Sequence, residues 1–218
     1  VFEEIINYRD WDFCQIQLNY IDTDIQAGMK GYKLTEEKNV PLVIMEPIKG
    51  GALASLSDDI EKVFTDYNQN VSISSWALRF VASLPNVKVV LSGMSTYDQV
   101  EDNLATFKEF KLLDQDEEKL VEKVANMIKA KTKNGCTGCR YCTPGCPLNI
   151  QIPDLFTAYN SQILYGESSR YQTWYQDHTS DDHAKANQCL KCGQCEGVCP
   201  QHLKIISLLK EVSNVFDK

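Results

Sequence analysis

Eight of the nine cysteines in this chain fall into two runs of identical spacing, Cys136-x2-Cys139-x2-Cys142-x3-Cys146-Pro147 and Cys189-x2-Cys192-x2-Cys195-x3-Cys199-Pro200. Three thiolates at i, i+3 and i+6 can wrap one [4Fe–4S] cubane from a single loop. The fourth, carried past a turn by its proline, points away to a second cluster. On this pattern one cluster takes Cys136, Cys139, Cys142 and Cys199, and the other takes Cys189, Cys192, Cys195 and Cys146. Gly135, Gly138, Gly145, Gly193 and Gly197 suit backbone that must pass close to inorganic sulfide, and amides freed there can bond the sulfurs and tune the potential. Clusters of this kind carry electrons singly, so the spacing points to a redox protein. Structural zinc commonly uses two Cys pairs a dozen or more residues apart. A disulfide framework needs an oxidising compartment, and nothing at the N-terminus resembles a signal peptide. Both are weaker readings.

Composition agrees. The chain has 218 residues, a net charge of −8 and 43% hydrophobic residues, enough for one or two globular domains. The acidic balance argues against nucleic acid as a partner, and no apolar stretch is long enough to span a membrane. Reduced thiols dedicated to metal point to a cytoplasmic location sheltered from oxygen. Val1 to Ile6 reads like the inside of a helix with no initiator methionine before it, so the chain is expected to be a fragment.

Two regions must position these residues. From residue 1 to 112, short apolar runs alternate with helical patterns. Phe13–Leu18, Val40–Met45 and Val87–Leu91 read as parallel strands. Ile60, Val63, Phe64 and Tyr67 form one helical stripe; Ile73, Trp76, Ala77, Phe80, Val81 and Leu84 form another. Thr96-x-x-Gln99 reads as a capping box, opening a helix with Val100, Leu104 and Phe107 on one side. Strand-then-helix repetition implies a parallel α/β sheet. Residues 113–134 read as a connecting helix begun at Asp114, with Glu117 three residues on, striped by Val121, Val124 and Ile128. Lys129, Lys131 and Lys133 suit its C-terminal end. The third part, 135–218, holds both cysteine runs. The 42 residues from Pro147 to Gln188 separate them. Pro153 suits a first helical turn, an aromatic segment follows around Tyr171, Trp174 and Tyr175, and Leu203–Val212 reads as a closing helix. Small ferredoxins bridge their motifs with fewer residues, so this part is similar to the helical ferredoxin domain of iron–sulfur subunits of respiratory reductases.

The first region resembles the C-terminal part of the aldo/keto reductase family, in the branch with a ferredoxin-like tail. The residues that carry the resemblance are Gln15-Ile-Gln-Leu-Asn19, the run Glu46-Pro47-Ile48-Lys49-Gly50-Gly51-Ala52-Leu53, Ala77-Leu78-Arg79-Phe80, and Leu91-Ser92-Gly93-Met94-Ser95 with Asp102-Asn103. The resemblance implies an α/β fold: the C-terminal part of a (β/α)8 barrel, about three of eight strands, followed by the α-helical ferredoxin-like domain with two [4Fe–4S] clusters. It also implies a nicotinamide dinucleotide, NAD(P)(H), across the C-terminal face, where barrel active sites lie. Gln15 matches the residue that holds the carboxamide. Pro47, Lys49, Gly50, Gly51 and Leu53 match the loop under the pyrophosphate. Gly93, Met94, Gln99, Asp102 and Asn103 match positions around the adenosine phosphate and adenine.

The chain departs from the family at Met45, where many members have an aromatic, and at Gly93 and Gln99, where NADPH-preferring members have Lys and Arg. The family's catalytic tyrosine, lysine, aspartate and histidine belong to the first half of the barrel, so no catalytic residue is assigned here. Tyr20, Tyr97 and Lys49 read as structural or cofactor-side residues, Cys14 as a small buried apolar residue, and His178, His183 and His202 as surface imidazoles. Glu36-Glu37-Lys38 and Asp116-Glu117-Glu118-Lys119 are solvated helix faces. The expected function is an iron–sulfur oxidoreductase that interconverts a small-molecule carbonyl and its alcohol and exchanges electrons with a redox partner protein. Hydride moves two electrons and a cubane one, so coupling requires a flavin or another two-to-one converter. The alternative is an electron-transfer module docking on a partner enzyme, without carbonyl reductase activity.

Overall fold

A computed structural model describes residues 1–136, 138–166, 168–180 and 182–218. The chain divides into two compact units, residues 1–129 and 130–218.

The first unit is built on three short parallel strands in the order β1 (Cys14–Gln17), β2 (Leu42–Met45), β3 (Val87–Val90). β1 pairs with β2 in register from Cys14↔Leu42 to Gln17↔Met45, and β3 joins β2 with an irregularity between Leu42 and Val43. Period-2 alternation sorts the side chains. Ile16, Leu42 and Ile44 point into a core shared with Leu18, Tyr32 and Val81, while Gln15, Val43 and Met45 take the other, more open face. Cys14 packs partly buried against that core, and burial pushes its thiol up.

The helices are α1 (Phe2–Tyr8), α2 (Gly28–Glu37), α3 (Asp58–Tyr67), α4 (Ile73–Ala82), α5 (Tyr97–Lys108) and α6 (Gln115–Lys131). α3 and α4 bury the centres of the stripes expected of them: Ile60 and Phe64 on one, Trp76, Ala77 and Val81 on the other, with Phe64 stacked on Trp76 at 4.9 Å. Tyr67, at the end of its stripe, is 48% exposed, and Leu78, outside the expected stripe, is buried. α5 behaves differently. Its capping box forms as the sequence requires, yet none of its residues is buried and Leu104 is 62% exposed. β3 and α5 end the sheet, so the stripe of Val100, Leu104 and Phe107 has no further layer among the described residues to cover it. α6 opens on Asp114, whose carboxylate accepts the amides of Asp116 and Glu117, and buries Val121, Val124 and Ile128.

The second unit contains α7 (Ile152–Tyr165), α8 (Ser169–Asp177), α9 (Gln194–Gly197) and α10 (Ile205–Phe216). α7 carries Pro153 in its first turn as expected. The closing helix α10 starts two residues later than Leu203 and runs four beyond Val212, because Phe216 is also a core residue and stacks on Tyr175 at 4.7 Å.

The two cysteine runs are a structural repeat at the level of the backbone. Gly138, Arg140 and Asn149 have φ of 70, 62 and 51°, and their counterparts Lys191, Gly193 and His202 have 58, 79 and 51°. The turn bonds repeat as well: Thr143 N to Arg140 O and Glu196 N to Gly193 O, then Asn149 N to Cys146 O and His202 N to Cys199 O, each pair equal in length at 3.1 and 3.0 Å. Six residues after the last cysteine of each run, buried Ile152 and Ile205 open α7 and α10. Of the five glycines expected to take unusual dihedrals, only Gly138 and Gly193 do so. The other left-handed positions are filled by Arg140, Asn149, Lys191 and His202.

Candidate functional site

The eight motif cysteines are free thiols whose burial repeats position by position: Cys142 and Cys195 buried, Cys139 and Cys192 exposed, Cys136, Cys146, Cys189 and Cys199 between. They line two hollows. Cys136, Cys139, Cys142 and Cys199 share one with Arg140, Ile152, Phe156 and Leu203. Cys146, Cys189, Cys192 and Cys195 share the other with Leu148, Ile150, Ile206 and Leu209. Each hollow thus takes three thiols from one run and the fourth from the other.

Main-chain amides already reach sulfur, from Ile150 to Cys146 Sγ and from Lys191 to Cys189 Sγ, both at 3.4 Å. Among the described residues no three His, Cys, Asp or Glu side chains converge as they would around a single ion. A cubane holds its thiolates farther apart than one ion does, so a hollow between them is the arrangement it requires. Burial pushes the Cys136 and Cys142 thiols up and that of Cys195 to about 11. A metal bound there must displace the thiol protons, so its binding is coupled to pH. Donor type, three-plus-one placement and sulfur-directed amides all fit an iron–sulfur cluster in each hollow.

The first unit has an open pocket of about 570 Å³ beyond the C-terminal ends of β2 and β3, where ligands of parallel α/β sheets bind. The structure brings together Pro47, Gly50, Gly51, Gly93, Met94, Gln99, Asp102 and Asn103 as its lining. The loop after β2 turns sharply: Glu46, Lys49, Gly50 and Gly51 all have positive φ, with Gly51 at 90°, where a side chain would be strained. Glu46 is held there by Asn19 Nδ2, which donates to its carbonyl at 3.1 Å.

Three expected cofactor residues lie outside this lining. Leu53 is fully buried beneath the loop. Gln15 lies on the open sheet face, its amide on Met45 Sδ at 3.1 Å. Lys49 turns toward Asp22, 2.5 Å away.

Sequence reasoning missed two features of this site. Asp22 is 1% exposed, and its Oδ2 accepts from Gln17, Asn19 and Lys49. The only signal in the sequence was a carboxylate just after a strand end. Asp102 accepts from Ser72 and Ser74 at 2.9 and 2.5 Å, so its carboxylate is tied to the start of α4. Gln99 spends its side-chain oxygen on the amides of Ser95 and Thr96. Tyr20 is buried, edge-on to Phe80, and Tyr97 is 88% exposed. Of the histidines, His202 is exposed. His183 bonds Asn149 at 2.8 Å, and His178 stacks on Trp174.

No helix among the described residues is long and apolar enough to cross a membrane. The chain is similar to a curated protein of Methanocaldococcus jannaschii, an iron–sulfur subunit of CoB–CoM heterodisulfide reductase. The two are 27% identical over 179 residues, covering 82% of this chain and 22% of that protein. The chain therefore spans about a fifth of that relative's length. No solved structure matches. A 4Fe–4S dicluster domain is matched by residues 135–204, and the sequence pattern of the aldo/keto reductase family by residues 3–126, more than half of the chain. The chain belongs to the aldo/keto reductase family and carries an iron–sulfur tail.

Proposed function

We propose that this chain is the cofactor-binding and electron-carrying part of an iron–sulfur oxidoreductase, acting in the cytoplasm on a carbonyl/alcohol pair with NAD(P)(H) as hydride carrier. The observation that carries the redox assignment is the crossed sharing of thiols: Cys199 with the first run, Cys146 with the second. Bound there, two [4Fe–4S] clusters would supply one-electron transfer at accessible potentials. The chain's part is to hold eight thiols in two hollows and to aim amides at their sulfurs, which favours the more negative, reduced state.

For the nicotinamide, the pocket at the strand ends supplies the site. Its glycine loop allows close approach of a phosphate backbone. Asp102 and Asn103 offer an acceptor and an amide to a ribose or base. The catalytic groups that would protonate a carbonyl are not among the residues assigned to this chain.

A second reading is favoured by one observation: among the described residues, the lining of the pocket includes Glu46 and Asp102 but no lysine or arginine, an unusual setting for a diphosphate. Together with the likeness to a protein named as part of a reductase, this supports an electron-transfer module that docks on a partner redox enzyme. Titration of the purified chain with NADH and NADPH, followed by fluorescence or calorimetry, separates the two. The first reading predicts saturable binding that Gln15→Ala and Asp102→Ala each weaken about tenfold, the loss of one or two hydrogen bonds. Absence of binding, with clusters reducible by a ferredoxin, would leave only the second.

A further inference from the structure

The repeat in the second unit is broken at one ion pair. Arg140 follows the second cysteine of its run, and the equivalent residue in the other run is Gly193. Both adopt a left-handed φ, 62 and 79°, a conformation that costs glycine nothing and a bulky L-residue about 1–3 kcal/mol. The chain thus places an arginine where its own repeat uses the unstrained residue. The arginine is also anchored. Its Nη1 and Nη2 donate to Asp154 at 2.9 and 2.8 Å in a bidentate pair, and the Asp154 side chain is 9% exposed.

Asp154 is in turn eight residues beyond Cys146, and its counterpart eight beyond Cys199 is Ser207. Neither member of the pair has an equivalent in the other half. Two further groups approach Asp154 from the α8 side. His178 Nε2 lies 3.8 Å from it, and Trp174 Nε1 donates to the Asp154 carbonyl at 3.2 Å.

Arg140, its side chain 55% exposed, is among the residues lining the hollow of Cys136, Cys139, Cys142 and Cys199, and it lies within electrostatic reach of the Cys142 and Cys136 thiols. Among the described residues, the hollow of Cys146, Cys189, Cys192 and Cys195 has no charged side chain in its lining. Lys191, the cation within that run, is exposed as Arg140 is, but it lies outside the lining and has no bidentate partner among the described ion pairs.

From this asymmetry we infer that the Arg140–Asp154 pair makes the two cluster sites electrostatically unequal, so that the site of Cys136, Cys139, Cys142 and Cys199 is the one more easily reduced. The inference rests on the two-cluster reading above. The physics is Coulombic: each electron added makes the site more negative, and a fixed positive charge in its wall favours that state. The compensating carboxylate is not among the residues that line the hollow, although it too reaches the Cys136 thiol electrostatically. An electron entering this unit is then held preferentially at the Arg140 site, which gives the relay a direction.

The test is a potentiometric titration of the anaerobically reconstituted full chain, followed by EPR, in the unaltered protein, Arg140→Gln and Asp154→Asn. The unaltered protein should show two resolved one-electron waves. Arg140→Gln should lower the higher wave by about tenfold in its reduction constant, about 59 mV for one electron, and leave the lower one in place. Asp154→Asn should move the same wave upward. These opposite signs are what separates an electrostatic role from a structural one, since loss of packing would not reverse with the sign of the charge removed. Should Arg140→Gln lose iron, the direction seen for Asp154→Asn decides. Eight irons with no movement of either wave, or with both waves displaced the same way by both variants, would overturn the inference alone. Fewer than eight irons in the unaltered protein would bring down the two-cluster reading and this inference with it.

Discussion

Among single residues, Arg79 shows how a motif residue can be structural. The sequence Ala77-Leu78-Arg79-Phe80 helps to mark the family, and in the fold Arg79 closes the first unit. It donates to the Lys111 and Leu112 carbonyls and makes a bidentate pair with Glu117, both partners about a tenth exposed. Glu117 also accepts from the amide of Asp114, so one carboxylate both caps α6 and pins it to α4. Removing one partner of such a pair strands the other in low dielectric. Arg79→Ala should therefore cost about 3–5 kcal/mol in urea denaturation; a loss below about 1 kcal/mol would show that the pair is solvated in practice. None of this was legible in the sequence, because Arg79 and Glu117 are 38 positions apart. The same holds for Asp102, whose serine partners lie 28 and 30 residues away. The cysteines were legible for the opposite reason: three of the four thiols in each hollow come from one run and are set by local spacing.

At the scale of elements, strands and amphipathic helices follow from periodicity, and the three strands lie within the runs read from the sequence. Helix ends were less legible where a partner distant in sequence fixes them, as Tyr175 does for α10 through Phe216. The stripe on α5 is a different case: the period is helical, but burial depends on a layer that the sequence pattern of the helix cannot name. Within α2, Tyr32 and Glu36 form an i,i+4 bond at 2.7 Å. Burial, then the neighbouring Glu36 carboxylate, pushes the Tyr32 hydroxyl up to about 12. In α7, burial and Glu211 do the same for Tyr159, also to about 12. Both groups hold their protons more tightly folded than unfolded, so their contribution is complete below pH about 10 and is lost as pH rises toward 12. Chemical denaturation at pH 9 and pH 12 should show a stability loss that is smaller in a Tyr32→Phe/Tyr159→Phe variant. An equal loss in both proteins would place the alkaline sensitivity elsewhere.

At the scale of the molecule, a family barrel segment and a cluster-binding tail are joined in one chain, and both are legible in residue order alone. What the sequence could not supply was asymmetry. Two runs of identical spacing read as two equivalent sites, whereas the fold sets an ion pair, its carboxylate buried and its guanidinium half exposed, beside one and apolar side chains around the other. The pocket was legible as a resemblance, but its acidic, arginine-free lining emerges only when loops after two strands are brought together. The redox role proposed for this chain requires that its eight thiols hold two cubanes. Anaerobic iron and acid-labile sulfide analysis of the reconstituted chain, with EPR of its reduced form, tests this directly. Two cubanes predict eight irons and eight sulfides per chain, reversible reduction, and paired S = 1/2 signals. Four or fewer irons after careful reconstitution, or zinc in their place, would contradict it.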